Sequence, residues 1–202
     1  DMESNGRITS QGTVPGGFSM DVNESGKRSN YAVNFKGLKP ANSRRKPDVN
    51  AQTAAKIDAA AADGVRDTLS SIVNMSLSTE ANPCNGSHRV YNGKEVFELS
   101  LTKIKDDTFQ NKDGGVYRGP AIVCRMVYST LAGLSPKTEA KYRKNPPVFN
   151  VWFAPVDSQA LGRPINVLVG ITGKIKGSEF VAYANQATIN GQPFNAQSLA
   201  SK

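Results

Sequence analysis

The sequence predicts a single mainly β domain over residues 1–190, with eight or nine mostly antiparallel strands, one short helix, and 191–202 as a C-terminal tail. Three observations carry that expectation. Apolar residues repeatedly alternate with polar ones on either side of glycine-bearing turns, the period of a strand with one buried face. Only one stretch places apolar residues at helical spacing around a capping residue. The composition, 38% apolar with 18 glycines and 11 prolines, suits many turns joined by short strands.

In chain order, Gly6–Val14 reads as a short mixed strand. Phe18, Met20 and Val22 then alternate with polar residues, as do Tyr31, Val33 and Phe35, and Glu24-Ser25-Gly26-Lys27 supplies the turn between them. Ala41–Asp63 stays open between a short strand, a frayed helix and a mobile crossover. Its alanines favour a helix, but beyond Ile57 it has no apolar stripe. Asp67 is a candidate N-cap for a helix to about Met75, with Leu69, Ile72 and Val73 on one face. Arg89-Val90-Tyr91 enters Asn92-Gly93, a type I′ signal, and the chain returns through Phe97, Leu99 and Leu101. Asp106–Gly115 is expected to be a polar loop ending in Asp113-Gly114-Gly115.

Tyr117–Thr130 is the central strand, with Ile122, Cys124, Met126 and Tyr128 on one face and Val123, Arg125 and Val127 on the other. Ala132–Pro147 reads as a long basic loop. Val148–Ala154, Ile165–Thr172 and Phe180–Ile189 complete the strands. No repeat of fixed period is visible, which argues against a propeller or solenoid.

The two cysteines, Cys84 and Cys124, have two readings. They could be unrelated buried thiols. Cys84, however, lies in the polar turn Pro83-Cys84-Asn85-Gly86, where a free thiol would be exposed and oxidisable. A disulfide is the favoured reading, and it would persist only in an oxidising compartment. The chain begins at Asp1, which fits a processed mature protein or a trimmed one. No run of eighteen apolar residues is present, so no membrane-spanning helix is expected.

The net charge of +8 is uneven: residues 1–100 carry twelve Lys/Arg against eleven Asp/Glu, residues 101–202 thirteen against six. Two clusters stand out, Lys36, Lys39, Arg44, Arg45 and Lys46, then Lys137, Lys141, Arg143 and Lys144. Both sit in stretches expected to be Pro- and Asn-bearing loops. The plain reading is solvated loops. The functional one is contact with an anionic surface such as lipopolysaccharide or phospholipid headgroups, through Arg44, Arg45, Lys46, Lys141, Arg143 and Lys144. Nucleic acid is not expected, because no stacking motif or helix-turn-helix accompanies the charge.

Catalytic chemistry is hard to assemble. His88 is the sole histidine and no Gly-x-Ser-x-Gly elbow exists, so neither a serine triad nor a hydrolytic zinc site is expected. His88 reads as a surface or hydrogen-bonding residue. Asp106-Asp107 beside Lys103 and Lys105 reads as a solvated turn, not a glycosidase pair. Asp106–Asp113 is too sparsely acidic for calcium. The pairs Gly16-Gly17 and Gly114-Gly115 precede strands, so no phosphate cradle is expected. No catalytic residue, metal or cofactor is assigned.

Several segments, in order, resemble a family of exported proteins of Gram-negative bacteria catalogued only as the domain of unknown function numbered 3108. They are GVRDTLSSIV (Gly64–Val73), PCNGSHRVYNGKEVFELSL (Pro83–Leu101), YRGPAIVCRMVYSTLAG (Tyr117–Gly133), VFNVWFAPV (Val148–Val156) and PINVLVGITGKI (Pro164–Ile175). Family members typically read Asp-Pro-Leu-Ser where this chain has Asp67-Thr68-Leu69-Ser70, and an Asp-Gly turn where it has Asn92-Gly93. Both changes keep a capped helix start and a tight turn.

The resemblance implies a periplasmic protein whose signal peptide has been removed. It also implies a single strongly curved antiparallel sheet, an open half-barrel or β-spiral, wrapping one short helix, as in lipoprotein carriers. It agrees with a Cys84–Cys124 disulfide and implies no chemistry. In such a half-barrel, Phe97, Leu99, Leu101, Met126, Tyr128 and Trp152, with Ile165 and Val167, are candidates to face a ligand, against the plain reading that all are core. The expected function is non-enzymatic support of the cell envelope, by scaffolding or by binding an amphipathic or anionic component (a lipid, a glycolipid or an envelope protein). A carrier with a hydrophobic cavity is the alternative, and an envelope polysaccharide hydrolase the third reading.

Overall fold

A computed structural model describes residues 1–77, 82–110, 117–158, 163–175, 178–183, 188–189 and 192–193. The protein is mainly β, as expected, but its strands fall into separate sheets, and the described residues hold three helices where one was expected. The first sheet has the order β1-β2-β3-β4, from β1 (Met2–Thr9), β2 (Gly12–Glu24), β3 (Lys27–Lys36) and β4 (Lys39–Lys46). Helices α1 (Ala51–Ala61) and α2 (Thr68–Ser76) follow. The second sheet has the order β10-β9-β8-β7-β6-β5. Its strands are β5 (Gly86–Tyr91), β6 (Val96–Gln110), β7 (Arg118–Ala132), β8 (Val148–Ser158), β9 (Arg163–Ile175) and β10 (Ser178–Tyr183). Helix α3 (Pro136–Lys144) lies between β7 and β8, and the short strands β11 (Thr188–Ile189) and β12 (Gln192–Pro193) pair with each other. The expected loop end at Asp113-Gly114-Gly115 and most of the expected tail lie outside the described residues.

Two compact units divide the chain. The first holds Asp1–Asn74, Ser87–Ser100 and Tyr128–Pro146; the second holds Met75–Gly86, Leu101–Val127 and Pro147–Lys202.

The first unit starts from two local signals that were legible. Ser25 (φ 53°) and Gly26 (φ 81°) form a two-residue turn between the paired residues Glu24 and Lys27, as the right-handed twist of a hairpin requires. Phe18, Tyr31 and Val33 are buried on one face of that hairpin. The open segment 41–63 resolves into β4 and α1. Asn50 caps α1 by accepting from the Thr53 amide at 2.8 Å, and Ile57 and Ala61 enter a core with Val33, Val65, Tyr91, Val96 and Ala132. The β5–β6 connection is not the type I′ turn expected. Only Gly93 has positive φ; Asn92 instead accepts from the amides of Lys94 and Glu95, closing a four-residue loop. Gly93 is required there, because a Cβ would lie 2.8 Å from the Cβ of Tyr31.

In the second unit the core comprises Phe109, Tyr117, Ala121, Ala154, Val156, Ile165 and Val169, with Trp152 packed against it. Asp106–Gln110, expected to open a polar loop, instead belong to β6, which sends Phe109 inward. Gly170 makes room for that ring: a Cβ would come within 2.6 Å of it. Cys84 and Cys124 form a disulfide with Cα atoms 5.3 Å apart, and both residues are buried.

Candidate functional site

Both cationic clusters belong to regular elements of the first unit, not to loops. In β4, Arg45 pairs with Tyr31 and so shares its inward face. Its guanidinium donates to the Gly93 carbonyl at 2.9 Å and to the Tyr91 hydroxyl at 2.6 Å, and sits 5.8 Å from the Tyr91 ring centroid. With a side chain only 12% exposed, Arg45 is a structural clamp, unavailable to an external surface. Arg44 and Lys46, paired with Ala32 and Asn30, are exposed on the other face.

Residues 136–144 form a helix because Ser135 accepts from the Thr138 amide, Pro136 occupies the first turn, and Lys141, Arg143 and Lys144 fill the last. No residue of α3 is buried. Tyr142 meets the Tyr128 ring edge-on at 5.7 Å, and Tyr128 stacks on Phe97 at 4.9 Å while donating to Glu95 Oε2. Burial, reinforced by the negative charge of Glu95, raises the Tyr128 hydroxyl well above the usual phenol range, so it stays a proton donor. This stack gives α3 an aromatic footing and leaves Lys137, Lys141, Arg143 and Lys144 exposed.

Of the eight side chains expected to face a ligand, Phe97 and Tyr128 thus support α3, while Ile165 is buried in the core of the second unit and Val167 packs against it. Leu101 and Met126 are buried, Leu99 is half-buried, and Trp152 packs against Phe109 with centroids 5.4 Å apart.

A groove of about 210 Å³ lies elsewhere, open to solvent and lined by residues of β1, the start of β2, and Leu69, Ser70 and Val73 of α2. Asp67 caps α2 as expected, accepting from the Ser70 amide at 2.9 Å. The helix is fastened to β2 by Thr13, whose hydroxyl donates to the Ser70 carbonyl at 2.9 Å and whose amide donates to Asn74 Oδ1 at 3.0 Å. Arg66 Nε donates to the Thr13 carbonyl at 2.8 Å. These bonds satisfy the polar floor, while Ile8 and Val73 remain 58% and 42% exposed. The β1 contribution was missed because Gly6–Val14 shows no alternation and Ile8 stands alone among polar neighbours.

His88 departs from its expected surface or hydrogen-bonded role. Its Nε2 is buried and lacks a hydrogen-bond partner among the described residues. Desolvation, and then the positive charge of Arg66, lower its pKa below the ordinary 6.5. A folded value below the unfolded one means the unfolded chain binds more protons in the interval between them. Stability is therefore expected to be full above pH 6.5 and to fall as the pH drops below it, levelling off beneath the folded value. Urea titrations from pH 7.5 to 5 should show that loss in the wild type and a flatter profile in His88→Gln. Parallel profiles would remove His88 as the cause.

No family model, curated protein or solved structure matches this chain. Among the described residues no group of three His, Cys, Asp or Glu side chains is placed to hold a metal ion, and no helix is long and apolar enough to cross a membrane.

Proposed function

We propose that the chain is an exported, periplasmic, non-enzymatic protein of the cell envelope that binds an anionic envelope surface through the first unit. The observation that carries this is α3, a helix with nothing buried, set on the Tyr142–Tyr128 ring contact and displaying Lys137, Lys141, Arg143 and Lys144 against one acid, Glu139. A helix so poor in apolar contacts gains little from the core, whereas its cations suit phosphate-bearing headgroups. Arg44 and Lys46 on β4 add to the positive charge of the same unit. The disulfide supports export, since such bonds persist in oxidising compartments. The resemblance to exported envelope proteins supports the same location.

Binding to vesicles of anionic phospholipid is expected to weaken steeply with salt and to be absent for neutral vesicles. Each juxtamembrane cation contributes about 1 kcal/mol, so a Lys141→Gln/Arg143→Gln/Lys144→Gln variant should bind on the order of a hundredfold more weakly. The three side chains are exposed, so the fold should survive the change. Equal affinity for neutral and anionic vesicles, or an unaffected variant, would remove this reading.

A further inference from the structure

The groove between β1 and α2 has a composition that selects a ligand. Its lip is apolar, formed by Ile8, Val14, Leu69 and Val73, and its hydroxyls, from Ser4, Thr13 and Ser70, are already engaged in hydrogen bonds within the protein. Arg7 is the only charged residue in the lining, and no carboxylate accompanies it. Just behind the floor, the half-buried Arg66 holds the Thr13 carbonyl and forms no ion pair with any described residue. Its positive charge is thus left uncompensated beside the groove, and burial lowers its pKa.

Apolar surface left in water is unfavourable, and an alkyl chain laid along it would release that water. A headgroup carrying negative charge would meet Arg7 and the field of Arg66, whereas a cationic one would be repelled. The three hydroxyls offer a neutral ligand little, since they are already engaged within the protein. At about 210 Å³ the space is small beside pockets that enclose a whole drug-sized molecule. It suits a single chain lying half exposed.

We propose that this groove binds one single-chain anionic amphiphile as a monomer, its alkyl chain along Ile8, Leu69 and Val73 and its headgroup at Arg7. This site is distinct from the cationic surface of α3 and stands or falls separately from it.

The experiment is a titration of the full chain with sodium decanoate below its micellar concentration. It is followed through the methyl resonances of Ile8, Leu69 and Val73, with decanol and decyltrimethylammonium as comparisons. Saturable shifts at those methyls, strongest for decanoate and weakest for the cation, are expected. Ile8→Asn and Val73→Asn alter exposed side chains without changing charge and should weaken decanoate and decanol alike by about tenfold. Arg7→Glu should weaken decanoate by about tenfold and leave decanol unchanged. The α3 triple variant should bind decanoate like the wild type while losing vesicle binding, which keeps the two sites apart. Shifts that do not saturate, equal affinity for all three amphiphiles, or decanoate binding indifferent to these variants would overturn the proposal. So would capture of the acyl chain only from bilayers.

Discussion

Replacing both cysteines, as Cys84→Ala/Cys124→Ala, is expected to remove about 4 kcal/mol of stability, the chain-entropy value for a loop of this length. The pair is separated by 40 residues, so the bridge withdraws many conformations from the unfolded chain. For a protein of this size the melting temperature should fall by about 8–16 °C. The unfolded variant is less compact, so the dependence of stability on urea should steepen at the same time. Wild-type protein in reductant should shift comparably. Equal melting with and without reductant would show that the second unit does not depend on the bridge.

Ile57→Ala is expected to cost about 2–5 kcal/mol, a large effect for one side chain on a surface helix. Ile57 is fully buried, and the only other residue of α1 buried with it is Ala61. The rest of α1 is alanine and polar side chains with little to bury. Removing the one large anchor leaves a cavity against Val33, Val65 and Tyr91 and leaves an eleven-residue helix near the lower limit of independent helix stability. Ala59→Ser, at an exposed position of the same helix, should change stability by about 0.5 kcal/mol or less. Hydrogen exchange should show α1 amides losing protection in Ile57→Ala. A change as small as that of the Ala59 control would mean the helix is held by something other than this contact.

The hairpin from Phe18 to Phe35, the Asp67-capped helix and the Cys84–Cys124 pair were all legible, because each rests on a local rule: alternation, a capping side chain, a thiol in a polar turn. The elements read as loops follow different physics. Strand β4 has no alternating apolar residues of its own; its pairing with β3 makes it a strand, and the inward turn of Arg45 replaces an apolar contact with hydrogen bonds to Tyr91 and Gly93. Helix α3 lacks an apolar stripe, yet Ser135-Pro136 followed by three cations near its end is a helix signature that a search for amphipathic spacing passes over. The division into sheets was not legible at all, since no local pattern tells a strand which other strand it will join. The groove was hidden for the same reason, because its lining combines β1 with a helix some sixty residues away.

The interleaving of the two units along the chain governs the order in which the protein can be completed. The core around Val33, Ile57 and Val65 is closed by Tyr91 and Val96 and finally by Ala132, so residues 1–74 emerge well before their last partners exist. Until then the nascent segment holds Val33 and Ile57 against an incomplete layer, and loop-closure entropy must be met before those contacts form. Neither unit is a contiguous stretch that could be cut out and expressed alone. A ribosome stalled before Ala132 should therefore present a protease-sensitive chain, and one stalled after Pro146 a protected first unit.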